Sequence, residues 1–321
     1  MGESKITKHS KVKPQFLGRT ILIFLKYAGL APFDFKTRFQ IDKNFLCYSR
    51  FVIVIYFCTL TLCLYSAPFY SEPFSLQLLN SMLGSHIYTI TSTLTLILLN
   101  LNLKKISYIL NIILKFYGRL TKSFCESFKI KRNFLINAIF WPLFMANLLY
   151  GISDIYLSFT RLAMIVSFLF FVIDHYALYS DFFFVIIVLN VFNLFRAFNR
   201  NVLFVVKNFD DDEADLEKDS LDRTTRICER IKVLYNEYDT MIDLGKDIDE
   251  CFSNINFISI SFSAMAIVFT TFFNINELAC ANKESLLITG HFLPYFGMRI
   301  FAVLYSSRIT HLEVRKSVLN E

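Results

Sequence analysis

Charged residues are scarce in this chain of 321 residues, where Asp, Glu, Lys and Arg together make up 19%. A soluble domain of this length needs a larger charged surface, so the composition disfavours a soluble globular protein. Hydrophobic residues account for 55% of the chain and aromatic residues for 17%. The net charge of +6 is spread between apolar segments and forms no single basic stripe, so no nucleic-acid partner is predicted. The composition instead indicates an integral membrane protein in contact with the lipid bilayer.

Motifs for metal binding, redox chemistry and catalysis are missing. The seven Cys include no Cys-x-x-Cys pair and have no zinc-ligand spacing with the five His, so neither a metal nor another cofactor is predicted. The chain also lacks a Walker loop and the GxGxxG, HExxH and GxSxG patterns. We therefore do not expect an enzyme.

Glycine and proline are few, with 9 and 6 residues. A secondary transporter would be expected to show internal repeats, with Gly or Pro breaks in matching spans, and neither feature is visible. A transporter therefore stays only as an alternative.

Six segments are apolar over roughly the 20 residues that a helix needs to cross the hydrocarbon core. Together they predict an all-α, polytopic membrane helical bundle over residues 46–306. The predicted spans are residues 46–67, 79–101, 134–157, 163–195, 252–273 and 285–306.

The distribution of Lys and Arg predicts the orientation of these spans, because cytosolic loops retain positive charge. Of the 33 Lys and Arg, 29 lie in four alternate segments: the N-terminal segment 1–45, the loops 102–133 and 196–251, and the tail 307–321. We therefore expect both ends of the chain in the cytosol.

Residues 222–251 have an apolar repeat that predicts one long cytosolic helix leading into the fifth span, and we expect it to be the only large element on that side. Its apolar or small residues are spaced alternately by four and three positions, with Gly245 at one of them, which places the apolar side chains on one face, here called the anchor seam. We favour packing against helices of the same assembly over docking of another protein. The anchor seam consists of Ile227, Ile231, Leu234, Tyr238, Met241, Ile248 and Phe252.

Two segments resemble the insect gustatory receptors. The stretch Gly29-Leu30-Ala31-Pro32-Phe33 is similar to the Gly-Leu-x-Pro-Phe sequence that precedes the first span in that family. Residues 241–273 are similar to the family's long cytosolic helix running into span five, with an Asn and a Phe-Ser pair just before the membrane. The basic cytosolic N-terminus and inverted orientation fit the same family, and the likeness covers nearly the whole chain.

The resemblance implies a chemosensory subunit of the plasma membrane, in a ligand-gated, nonselective cation channel that detects small-molecule tastants. It also implies a homo- or hetero-tetramer of related subunits, anchored by the cytosolic helices. That family has seven spans, and residues 311–321 resemble the segment just before the last one, so the chain is expected to lack the pore helix. An odorant-receptor-like subunit of the same architecture is the alternative, whereas the cytosolic N-terminus disfavours a G-protein-coupled receptor.

Polar side chains within the spans are candidates for a ligand pocket, because they are costly in lipid unless they face protein or a wet cavity. The His residues and the Asp174–His175 pair could instead bridge neighbouring helices, and Asp154 could simply mark the end of a span. Arg299, in span six, is expected to snorkel toward the interface or to form an ion pair. Asp181 is a further polar residue of span four. The predicted pocket residues are His86, Tyr88, Tyr150, Asp154, Asp174, His175, Tyr179, His291 and Tyr295.

Overall fold

The computed structural model confirms the all-α class and shows a helical membrane bundle. It describes residues 19–34, 38–66, 90–123, 140–146, 148–149, 152, 178–200, 202–203, 220–279 and 292–319. Eight helices lie within these residues. They are α1 Arg19–Tyr27, α2 Lys43–Ser66, α3 Ile90–Leu101, α4 Leu103–Ser123, α5 residues 140–146, α6 Leu178–Arg200, α7 Ser220–Ala279 and α8 Phe292–Leu319.

A tight connection joins α1 to α2 through two short antiparallel strands, β1 Phe33–Asp34 and β2 Gln40–Ile41. Gly29 ends α1 with a φ of 83°, a conformation that side chains with a Cβ rarely adopt. A Cβ at this position would also lie 3.2 Å from the ring of Tyr48. The glycine of the Gly-Leu-Ala-Pro-Phe stretch therefore has a structural role in turning the chain toward α2.

Two helices in the described part of the chain are long and apolar enough to cross a membrane, Leu178–Arg200 in α6 and Ile231–Phe272 in α7. The pair α3 and α4 would supply a third crossing if it were one span, although the two helices meet at 65°. Much of the predicted spans two, three and four lies outside the described residues. The count of six spans therefore stays a prediction.

The centre of the bundle is α6. In its apolar stretch 89% of the residues are buried, against 22% in that of α7. A helix that is apolar on all sides is stable when other helices surround it, and α6 has this character. Helices α1, α4, α5, α7 and α8 all contact α6, whereas α7 keeps a large exposed surface.

Contacts along α6 give the relative directions of the last three helices. Asp181 and Asn199 of α6 contact Arg299 and Glu313 of α8 in the same order, so α6 and α8 run parallel. On α7 the order is reversed, because Ser259 contacts Asp181 whereas Tyr238 contacts Phe198 farther along α6. Helix α7 is therefore antiparallel to both, which is the alternation expected of three successive spans.

Helix α4 corrects the expectation that the anchor helix is the only large element outside the predicted spans, because α4 lies in the predicted loop 102–133. Its Lys105 lies 3.5 Å from Asp247 of α7 and also pairs with Glu250, and its Arg119 lies 3.5 Å from Glu237. These contacts show that α4 runs antiparallel to the first half of α7. Its buried face consists of Leu103, Ile106, Ile109, Leu110, Ile113, Phe116 and Tyr117.

Candidate functional site

Two of the nine predicted pocket residues, Tyr179 and Tyr295, lie in the described part of the chain, and both are buried. They occupy different aromatic clusters, the first at α1, α5 and α6 and the second at α7 and α8. The others lie outside the described residues, namely His86, Tyr88, Tyr150, Asp154, Asp174, His175 and His291.

The Tyr179 ring is enclosed by aromatic side chains of α1 and α5. Its centroid lies 5.3 Å from that of Phe24, and 6.3 Å from those of Phe140 and Phe144. Phe24 also meets Trp141 edge-on at 5.7 Å. Aromatic pairs at these separations are attractive, so the rings form one packed cluster, here called the Phe24 cluster.

Helix α1 delivers Phe24 to this cluster because the apolar face of the helix is driven into the bundle. Ile21, Leu22 and Leu25 are fully buried, whereas Ile23 and Tyr27 are exposed. This spacing of buried residues is that of a helix with one apolar face. Tyr179 was predicted from the sequence to face a ligand. In the structure, helix α1 covers its ring instead.

A polar network within the apolar core joins α6, α7 and α8. Arg299 Nε donates a hydrogen bond to Asp181 Oδ2 at 2.7 Å, and Ser259 Oγ donates to Asp181 Oδ1 at 2.5 Å. Arg299 Nη2 donates in turn to Ser259 Oγ at 3.3 Å. The side chains of Arg299 and Asp181 are 1% and 2% exposed. Of the two expectations for Arg299, the ion pair is therefore confirmed and snorkelling is wrong.

Aromatic rings of α8 surround the cation of this network. The guanidinium carbon of Arg299 lies 5.6 Å from the ring centroid of Tyr295 and 5.7 Å from that of Phe296. Phe296 also packs edge-on against Phe262 of α7, with centroids 5.8 Å apart. A guanidinium above a ring face is attracted to its negative quadrupole. The predicted pocket residue Tyr295 is therefore in direct contact with the buried ion pair.

This polar network carries no net charge. A guanidinium and a carboxylate neutralise each other, and the hydroxyl of Ser259 bridges them. Opposite charges that are hydrogen-bonded in a low-dielectric interior hold their partners in a narrow range of positions. The arrangement can therefore fix three helices relative to one another.

Asp181 is recognisable in the sequence as a polar residue of span four, but its pairing with Arg299 was not predicted. The signal was present, because an Arg inside a span needs an acceptor at the same depth and Asp181 is a carboxylate of a neighbouring span. The sequence does not distinguish Ser259 from other serines of the same helix, because Ser253 and Ser261 lie nearby and are exposed.

The anchor seam is buried at one end and exposed at the other. Met241, Ile248 and Phe252 are buried, and Tyr238 packs against Phe198 with ring centroids 5.9 Å apart. Leu234 is half-buried, and the side chain of Ile227 lies outside the described part. Farther from the predicted span, Ile231, Val233 and Tyr235 are exposed by 54%, 56% and 62%. This single chain therefore leaves the first part of α7 uncovered.

Electrostatic contacts also fix the entry to α2. The Lys26 ammonium donates a 3.0 Å hydrogen bond to Asp42 Oδ2, which lowers the pKa of the Asp42 carboxyl. The hydrogen bond and the positive charge both favour the ionised carboxylate. The Asp42 carboxylate also accepts a hydrogen bond from the backbone N–H of Asn44, in the first turn of α2. These contacts tie α1 to the start of the first predicted span.

Comparison with known proteins gives one family. A family model described as 7tm Chemosensory receptor matches residues 18–319 of the chain. The match includes every helix described above. No curated protein matches the sequence.

Proposed function

This chain belongs to the 7tm chemosensory receptor family, and from that premise we propose that it is a gustatory receptor subunit of a ligand-gated, nonselective cation channel. Its ligands in this proposal are small-molecule tastants. The family match carries the receptor function, and the resemblance of residues 29–33 and 241–273 to gustatory receptors supports the taste modality.

The length of α7 supports assembly into a channel of several subunits. The helix has 60 residues without a break, which at 1.5 Å per residue corresponds to about 90 Å. The hydrocarbon core is only about 30 Å thick, so much of α7 stands outside it. We place its first half in the cytosol, where the exposed side chains of Ile231, Val233 and Tyr235 would be covered by related subunits. A homo- or hetero-tetramer is the assembly that we propose.

The proposed ligand pocket lies among the outer halves of the spans. It combines Tyr295 with the predicted pocket residues that lie outside the described part of the chain. Tyr295 supports this placement because its ring is next to both Phe296 and the Arg299 guanidinium. An aromatic wall with a few polar groups suits a small ligand that has an apolar body. The Phe24 cluster gives Tyr179 a packing role instead.

Calcium entry tests the channel proposal directly. The chain is expressed in cells together with a full-length member of the family, and a panel of tastants is applied at the plasma membrane. We expect at least one tastant to evoke calcium entry that the full-length partner alone does not give. Tastant-evoked calcium entry that is the same with and without this chain, for every tastant of the panel, would contradict the proposal.

Substitutions in the predicted pocket separate ligand binding from folding. Asp174→Asn and His175→Gln are expected to raise the tastant concentration needed for a half-maximal response, with surface expression unchanged. Ser307→Ala, near the middle of α8, is the control variant because Ser307 bonds only within its own helix in the described structure. An unchanged response in both pocket variants would show that the pocket is wrongly assigned.

A further inference from the structure

We propose that Asp181, Ser259 and Arg299 form a charge lock that sets the register of α6, α7 and α8, and that the lock rearranges when the receptor responds to ligand. The second half of this inference rests on the proposed receptor function. The first half concerns the helices alone. Both halves start from the three hydrogen bonds of the buried network.

Each hydrogen bond of the charge lock joins a different pair of helices. The bond from Ser259 to Asp181 joins α7 to α6, the bond from Arg299 to Asp181 joins α8 to α6, and the bond from Arg299 to Ser259 joins α8 to α7. The three bonds therefore close a triangle. No helix can slide along its neighbours without losing two of its bonds at once.

The side chains of the lock make it specific for one register. Asp181 and Ser259 have short side chains, and a slip of one helical turn displaces a residue by about 5.4 Å, beyond hydrogen-bonding distance. If the helices slipped, the Asp181 carboxylate and the Arg299 guanidinium would each remain in the apolar core without a partner, which is strongly unfavourable. The lock therefore has a closed arrangement and a costly open one, with no stable intermediate slip.

The position of the lock connects the proposed pocket to the other end of the bundle. Tyr295 precedes Arg299 by one helical turn and lies against its guanidinium. Asn199, about 27 Å farther along α6, donates hydrogen bonds to the backbone oxygen and carboxylate of Glu313 on α8. A ligand that moves Tyr295 would thus act on the lock, and the packed helices would carry the displacement to the far contact.

Disulfide cross-linking tests the register without reference to channel activity. The full chain, with its native cysteines replaced, carries either Phe184→Cys with Phe252→Cys, or Phe184→Cys with Ile248→Cys. The first pair is in register, since the two rings lie 5.4 Å apart, and the second is displaced by one turn of α7. With the lock intact we expect the in-register pair to cross-link at least about tenfold faster.

The lock is then removed by Asp181→Asn with Arg299→Gln, which leaves neutral side chains that can still form hydrogen bonds. We expect the in-register preference to fall to about threefold or less, because neutral partners tolerate a slipped register. The control is Asp243→Asn with Lys246→Gln, which neutralises an exposed ion pair of α7. Equal preferences in the lock variant and the unsubstituted chain would overturn the inference.

Calcium entry tests the link to the response. In the lock variant, with surface expression matched, we expect a shift of about tenfold in the half-maximal tastant concentration or entry without ligand. A response identical to that of the unsubstituted chain would overturn the coupling to ligand. If the unsubstituted chain gives no tastant response while the cross-linking preference still depends on the lock, the proposed function fails and the register lock stands.

Discussion

Removal of the Phe24 ring tests whether the N-terminal helix is a structural part of the bundle. Phe24→Ala leaves α1 with its helix-forming backbone but deletes the ring at the centre of the Phe24 cluster. In the structure this ring contacts four others, those of Phe140, Trp141, Phe144 and Tyr179, with centroids 5.3 to 6.0 Å away. All four contacts are edge-to-face.

The expected loss of stability is about 4 kcal/mol. Truncation of a fully buried Phe costs about 3–5 kcal/mol, and the half-buried ring of Phe24 should lose about half of that through burial. Loss of the four edge-to-face contacts, at about 0.5 kcal/mol each, adds about 2 kcal/mol. Such a loss should lower the thermal midpoint by roughly 5–10 °C.

Fluorescence-detected size-exclusion chromatography of heated, detergent-solubilised chain measures this midpoint. The matched control is Ile23→Ala, because Ile23 is the adjacent residue on the same helix and is 39% exposed. We expect the control to shift the midpoint by no more than about 2 °C. Equal midpoints for the two variants would refute the conclusion that α1 is packed into the bundle through Phe24.

Three further outcomes test other contacts. Ile113→Ala, at a fully buried position of α4, should cost about 2–5 kcal/mol by thermal midpoint, and a loss below about 1 kcal/mol would contradict the packing of α4 into the core. Asn199→Leu should lower the protection of α8 near Glu313 in hydrogen-exchange measurements, whereas unchanged protection would show that this contact is dispensable. In hydrogen-exchange measurements the unsubstituted chain should lose protection of α1 on acidification, and Asp42→Asn should abolish this pH dependence. Because the native pKa of Asp42 is lowered, its contribution to stability is present above the ordinary pKa of 3.8 and disappears as the pH falls through the native pKa. Equal acid sensitivity of the two chains would contradict this.

Long apolar segments were predictable from the sequence, and the periodic helix before the fifth span was also predictable. The structure has a helix at Lys43–Ser66, over the first predicted span, and a continuous one at Ser220–Ala279. Helix α4 was not predicted because spans are recognised by long apolar runs, and α4 has none. In α4 the apolar side chains alternate with Lys, Asn and Ser, and the helix is recognised by its period.

The candidate site was only partly predictable, because its contacts join residues far apart in the chain. Arg299 and Asp181 are separated by 118 positions, and Ser259 and Asp181 by 78. An unpaired cation in a span implies a carboxylate partner, so this ion pair could be anticipated in kind. A serine hydroxyl has no such requirement. The contact between Tyr179 and Phe24 depends on how α1 enters the bundle, which no local pattern specifies.

Epitope accessibility in intact cells measures on which side of the membrane the ends of the helices lie. Tags are placed at Met1, at Glu321 and within residues 274–284, and an impermeant antibody is applied before and after permeabilisation. We expect only the tag within residues 274–284 to be labelled on intact cells, because the proposed orientation has α6 and α8 running inward and α7 running outward. Labelling of either terminal tag on intact cells would contradict it.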